Sequence, residues 1–195
     1  EITTRLVGSE MCIRDRYEYR SERFWYNLAK RIGDILLSLI ALIILSPLLL
    51  LTALLIKIED RGPVFFRQKR CTKNGKVFEI LKFRSMIVDA EKGGETIPCR
   101  TGDPRITHVG RVIRKLRIDE FPQIINVLKG DMSIVGPRPE RVEHVEAYTK
   151  EIPEFSYRLR VKGGLTGYAQ IYGKYNTSPY DKLRLDLQSV SYTHL

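Results

Sequence analysis

The sequence is poor in the residues and motifs that announce metal or redox chemistry. Of its 195 residues only Cys12, Cys71 and Cys99 are cysteines, and only His108, His144 and His194 are histidines. Neither set has a metal-binding or redox spacing. That argues against a disulfide framework and makes a reducing compartment the default. No GxGxxG, Walker loop or HExxH occurs, so the common dinucleotide, nucleoside-triphosphate and zinc-protease fingerprints are missing. There is no internal repeat and no sign of a second domain. Aromatic residues are not interleaved with basic ones as a nucleic-acid stacking platform requires, so no nucleic-acid partner is expected.

What is abundant is positive charge. Lys plus Arg outnumber Asp plus Glu by 33 to 23, a formal net charge of +10. Such an excess favours an anionic partner: nucleic acid, a membrane surface or a phosphorylated substrate. The length suffices for one domain with a real core. The two ends stand apart. "LVGSEMCIRDR" (6–16) and "VSYTHL" (190–195) resemble translated sequencing-adaptor sequence, so 1–16 and 189–195 are set aside as artefacts. The natural chain is expected to continue in both directions. This leaves 17–58, an N-terminal segment with an apolar run, and 59–188, a basic domain.

The apolar run "ILLSLIALIILSPLLLLTALLI", Ile35–Ile56, has 22 residues and no charge. About 20 apolar residues in a helix span a bilayer core. Ser46-Pro47 lies in its middle, where proline removes a backbone donor and is expected to kink or break the helix. Both flanks are basic: Arg20, Arg23, Lys30 and Arg31 precede the run, and Lys57, Arg61, Arg67, Lys69 and Arg70 follow it. The positive-inside rule puts both on the cytoplasmic side. A kinked helix that enters and leaves by one face satisfies both features; a single-pass anchor with a tolerated proline is the alternative.

Beyond the run, "GPVFFRQKRCTKNGKVFEILKFRSM" predicts a β-hairpin turning at Asn74-Gly75, since a type I′ turn needs positive φ at both central positions. "DAEKGGETIPCRTGDPR" (89–105) predicts a loop. Val109, Val112, Ile113 and Leu116, then Phe121, Ile124, Ile125 and Leu128, recur at helical spacing. Two helices are expected, meeting near Ile118-Asp119, with Asp119 as N-cap, Pro122 in the first turn and Gly130 at the C-terminal stop. A further helix is expected to start at Pro139, with Arg138 at its N-terminus. "VKGGLTGYAQIYGKYNTSP" predicts a glycine-rich loop, and "YDKLRLDLQ" a last helix.

Two adjacent acids, Asp119 and Glu120, sit in "RIDEFPQ", between the basic stretches "RVIRKLR" and "GPRPER". An Asp at a helix N-terminus is favoured in its ionised form. It can attack phosphorus as a nucleophile, or hold Mg²⁺ beside substrate phosphates. Arginines bind phosphate bidentately and stay charged. The acids are then surrounded by bases because the substrate brings its own negative charge. The plain alternatives are a helix cap followed by a solvated acid, a rigid turn at "VGPRP", and an exposed strand face for Lys82 and Arg84.

Taken together, "KRIGDILLSLIALIILSPLLLL", the hairpin, "DPRITHVGRVIRKLRIDEFPQIINVLKGDMSIVGPRPE" and "GLTGYAQIYGKYNTSPYDKLRLDL" resemble, in order and over roughly 28–188, the bacterial sugar transferases, monotopic polyprenyl-phosphate phosphoglycosyl transferases. The resemblance implies an α+β fold: a mostly helical membrane-associated domain with a small β-hairpin and a re-entrant helix broken at Ser46-Pro47. It implies transfer of a sugar-1-phosphate from a UDP-sugar to undecaprenyl phosphate, with UMP released, through an aspartyl phosphosugar. By matched position it makes Asp119 the nucleophile and a Mg²⁺ ligand, with Glu120 its partner. Lys82, Arg84, Arg114 and Arg138 become phosphate-binding residues, and Asp186 a late acid near the site. It implies UDP-sugar, undecaprenyl phosphate and membrane lipid as partners, Mg²⁺ as cofactor, and the cytoplasmic face of the bacterial inner membrane as location. A homodimer is the candidate assembly, and the "GKYNTSPYDKL" segment resembles exopolysaccharide members. The family's apolar stretch after "LDL" is replaced here by "QSVSYTHL". Two rival readings are a membrane-anchored basic module that binds anionic lipid or nucleic acid without catalysis, and a structural scaffold in a polysaccharide assembly complex.

Overall fold

The structure, a computed structural model, describes residues 24–88, 90, 102–173 and 179–192. Most of the loop read at 89–105, and the first sixteen residues, lie outside this set, as do 193–195. Helix α1 is Phe24–Glu59, 36 residues long, and its buried residues are Asp34, Ser38, Thr52 and Ile56. Many of the apolar residues between them face outward, among them Ile43 at 73% and Leu50 at 72% exposure.

The expected break at Ser46-Pro47 is not found: α1 runs through Pro47 as one helix. Pro47 has no amide to give to the Ile43 carbonyl one turn earlier. The Ser46 hydroxyl donates to that same carbonyl at 2.8 Å, so the acceptor is satisfied and the helix continues.

Both ends of α1 are fastened to the same folded body. Near its start, Arg31 donates to the carbonyls of Val127 (2.6 Å) and Leu128 (2.7 Å). Asp34 accepts from the Ser133 hydroxyl at 2.8 Å and the Ile134 amide at 3.1 Å. Near its end, Ile56 packs in one cluster with Phe83, Ile113 and Ile118, joined by Leu48, Leu49 and Ala53. Glu59 accepts from the amides of His108 (2.6 Å) and Val109 (3.0 Å) and thereby caps the next helix.

Strands β1 (Phe65–Cys71) and β2 (Val77–Phe83) pair antiparallel from Phe65↔Phe83 to Cys71↔Val77. Asn74 (φ 59°) and Gly75 (φ 72°) are both left-handed, and the Lys76 amide returns to the Lys73 carbonyl at 3.2 Å. This is the type I′ geometry expected of Asn-Gly.

Helix α2 (His108–Lys115) starts at Thr107, whose hydroxyl accepts from the Gly110 amide. Its expected apolar stripe divides. Ile113 is buried at 4%, whereas Val112 and Leu116 are exposed at 57% and 59%. Arg117, at φ 59°, ends the helix in the left-handed region and starts a 3-10 turn, Ile118–Glu120. A non-glycine residue there carries strain of about 1–2 kcal/mol. Asp119 therefore lies inside this turn and does not cap a helix; α3 (Gln123–Lys129) begins behind Pro122 and ends at Gly130, φ 91°.

Several short elements escaped the sequence reading, among them two strands and the helix within the stretch read as a glycine-rich loop. Strands β3 (Ser133–Val135) and β4 (Gly164–Thr166) form a parallel pair, and β4 lies in the stretch read as a glycine-rich loop. Three residues are too few for an alternation to be seen. Helix α4 (Val142–Glu151) starts three residues after Pro139, and Arg138 is not at a helix N-terminus. The chain stays extended there because the Cys71 amide takes the Glu140 carbonyl at 2.9 Å. A 3-10 helix, Pro153–Arg160, and helices α5 (Tyr168–Tyr172) and α6 (Pro179–Tyr192) complete the described chain.

Candidate active site

Four of the residues picked from the sequence meet at the 3-10 turn after α2. Glu120 is the fixed member of the acid pair. Its Oε1 accepts from Lys82 Nζ on β2 at 2.8 Å and from Arg138 Nη2 at 2.5 Å. Asp119 forms no ion pair among the described residues. It faces a cavity of about 850 Å³ lined also by Lys82, Arg84, Arg114, Arg67, Arg70, Arg105 and Arg141. Among the described residues lining it, Asp119 is the only carboxylate. Such a wall suits a ligand with several negative charges.

The two acids shift in opposite directions. Burial raises Asp119 above the ordinary aspartate range; the attraction of Lys82 offsets this only in part, and Glu120 adds to the rise. The helix-dipole effect expected from the sequence does not prevail, because the 3-10 turn supplies no full helix. Burial also pushes Glu120 up, but the hydrogen bond and charge of Arg138, with Lys82, outweigh it and hold Glu120 at about 2. Burial and the nearby Arg138 lower Lys82, with Glu120 opposing. Arg138 is raised: its bond to Glu120 outweighs the burial penalty. Glu120 is thus a permanently charged anchor between two cations, and Asp119 a more basic carboxylate turned to the open space. Divergent environments of this kind assign different roles to adjacent acids.

Of the other three, Arg114 lines the cavity with Asp119, and Arg84 and Asp186 are placed differently. Arg84 lines the cavity but is 7% exposed and grips the end of α1. Its Nη2 donates to the Asp60 carbonyl at 2.8 Å and its Nη1 pairs with the Asp60 carboxylate at 3.2 Å. Asp186 is fully buried and pairs with Arg158 at 2.7 Å, outside the cavity lining. The sequence reading missed Arg158, Arg70 and Glu140, which surround the Pro-Arg-Pro segment. Nothing but the general excess of arginine pointed to them.

Among the described residues no three His, Cys, Asp or Glu side chains gather as a metal cage. Mg²⁺ is normally held by one or two carboxylates plus substrate phosphates and waters. Asp119, a hard oxygen donor with no cation salt-bridged to it, fits that minimal set; Glu120, already paired twice, does not add to it.

The profile for "Bacterial sugar transferase" matches residues 25–195. The chain belongs to this family. It is 51% identical over 146 residues to the UDP-N-acetylgalactosamine-undecaprenyl-phosphate N-acetylgalactosaminephosphotransferase of Aeromonas hydrophila, covering 75% of this chain and 34% of that protein. It is 46% identical over 147 residues to the UDP-glucose:undecaprenyl-phosphate glucose-1-phosphate transferase of Caulobacter vibrioides, covering 75% and 55%. It is 43% identical over 147 residues to the exopolysaccharide production protein PSS of Rhizobium leguminosarum, covering 74% of each. The chain thus spans about a third to a half of the first two of these relatives.

Proposed function

We propose that this transferase moves a sugar-1-phosphate from a UDP-sugar to undecaprenyl phosphate by way of an acyl phosphate on Asp119. The carrying observation is the split dyad. Asp119, desolvated and not salt-bridged, faces a cationic cavity, while Glu120 is locked between Lys82 and Arg138. A carboxylate stripped of water is the better nucleophile once the substrate is seated. An Asp119 oxygen attacks the sugar-bearing phosphorus; the P–O bond to the other phosphate breaks and UMP leaves with the electron pair. An oxygen of the lipid phosphate then attacks the same phosphorus, the Asp119–P bond breaks, and the carboxylate is restored. Lys82 and Arg114, in the cavity wall, offset the charge on the phosphates, and Arg138 holds Glu120 in place. Mg²⁺, where bound by Asp119 and the donor's phosphates, supplies further charge neutralisation.

The reading includes a membrane seat. Helix α1 is apolar over its middle, 11% buried in its most apolar window, and tied at both ends to one folded body. A helix crossing a bilayer presents its ends to opposite sides. One body holding both ends of a continuous helix favours an α1 that bends, without a break, within the cytoplasmic leaflet of the inner membrane and returns. The lipid phosphate and the soluble donor would then meet at the headgroup level.

The test is UMP release by the protein in nanodiscs, with Mg²⁺, undecaprenyl phosphate and a panel of UDP-sugars, beside Asp119→Asn. Release with one sugar, lost in the variant, together with a phosphosugar adduct on Asp119 by mass spectrometry, would establish the reading. A folded protein silent across the panel would sink it.

A further inference from the structure

The loop that carries Arg138 is fixed in an unusual way. Pro137 and Pro139 flank Arg138 and bring no N–H groups, so the segment has few donors to be held by and its acceptors carry most of the hold. Four consecutive carbonyls are each taken by a different partner. Pro137 accepts from the Gly164 amide at 2.8 Å and Glu140 from the Cys71 amide at 2.9 Å. Arg138 accepts from Arg158 Nη2 at 2.6 Å, and Pro139 from Arg70 Nη1 at 3.2 Å. The Glu140 carboxylate lies between the two arginines, 3.8 Å from Arg158 and 4.0 Å from Arg70.

Arg158 is 3% exposed and Asp186 is fully buried, and neither lines the cavity. A lone buried guanidinium costs several kcal/mol of desolvation, and a fully buried carboxylate at 2.7 Å offsets it. A route leads from the pair to the dyad: the Arg138 backbone, then the Arg138 guanidinium, then Glu120. We propose that Arg158, supported by Asp186, is a positioning residue for the acid pair, holding the Arg138 carbonyl so that the Arg138 side chain stays on Glu120. This rests on the reading of Asp119 and Glu120 given above. Asp186, matched by resemblance to an acid near the site, then works at one remove, without touching substrate.

A merely structural pair would change the amount of folded protein. A positioning pair changes turnover per folded molecule and leaves donor binding in place, because the cavity wall is not altered. The experiment measures kcat and KM for UMP release with the UDP-sugar that the wild-type protein uses, alongside the melting temperature in nanodiscs. The variants are Arg158→Gln, Arg158→Lys and the paired replacement Arg158→Met with Asp186→Leu. The last removes both charges together, so no buried charge is left alone. The expected result is a kcat lower by roughly 10- to 100-fold in the Gln and paired variants, with KM little changed and partial recovery in the Lys variant. Wild-type kcat in a folded paired variant would overturn the proposal, and so would a loss confined to KM. A Gln variant that does not fold yields its place to the paired and Lys variants. A wild-type protein that releases no UMP would instead overturn the underlying reading of the site.

Discussion

The Ser46 hydroxyl donates to the carbonyl of Ile43, the acceptor that Pro47 leaves without an amide. One side chain thus offsets the backbone defect introduced by its neighbour. In an apolar surrounding an unpaired carbonyl costs about 1–3 kcal/mol. Ser46→Ala is expected to lower the thermal midpoint of the protein in nanodiscs, and Ser46→Thr to restore it. An unchanged midpoint in Ser46→Ala would show that the carbonyl finds another donor.

The position of α1 gives a topological prediction. Single cysteines at Asn27 and Ile58, both exposed, should react with an impermeant thiol reagent from the same side of sealed vesicles. Labelling from opposite sides would establish a crossing helix and remove the re-entrant seat.

Glu120 is held at about 2 by Arg138 and Lys82. Its folded pKa lies below the unfolded value, so its contribution to stability is full above the unfolded glutamate range and is lost as pH falls from about 4.5 towards about 2. Glu120→Gln leaves two buried cations without their anion and should destabilise by about 3–5 kcal/mol. Its thermal midpoint should depend less on pH across that window than the wild type's. An equal pH dependence in both proteins would refute the pairing as a source of acid lability.

Asp119 moves the other way. Burial raises its pKa, so its ionised form is disfavoured in the fold, and the protein is less stable above that pKa than it would be with a neutral group there. Asp119→Asn should therefore melt higher at neutral pH while losing turnover, the usual opposition of stability and activity at a site. The acid limb of kcat/KM should fall above the ordinary aspartate range. A lower melting point in Asp119→Asn would contradict the sign.

Gly164 touches Gly136 where the β3–β4 pair meets the Pro-Arg-Pro segment. A Cβ at Gly164 would sit 2.1 Å from the Gly136 amide nitrogen, inside van der Waals contact with backbone that cannot swing away. Gly164→Ala is expected to cost about 1–3 kcal/mol and to reduce UMP release by displacing Arg138. A fully active, equally stable variant would show that the strand pair tolerates separation.

The sequence by itself determined the parts that local chemistry dictates. Asn74-Gly75 required the hairpin turn, Gly130 required the helix stop, and the charge-free run Ile35–Ile56 required a long apolar helix. The motifs around Asp119, Glu120, Lys82 and Arg138 were legible as a set because their order along the chain resembles one family. Only the tertiary structure decided what these groups do to one another. Opposite shifts of adjacent acids depend on which one two distant cations reach, 38 residues upstream and 18 downstream of Glu120. The continuity of α1 through Pro47 depends on a rotamer of Ser46. The exposed placement of Val112 and Leu116, and the grip of Arg158 and Arg70 on consecutive carbonyls, depend on how elements far apart in the chain pack. Periodicity and residue type carry no record of such long-range contacts, so nothing short of the assembled fold could reveal them.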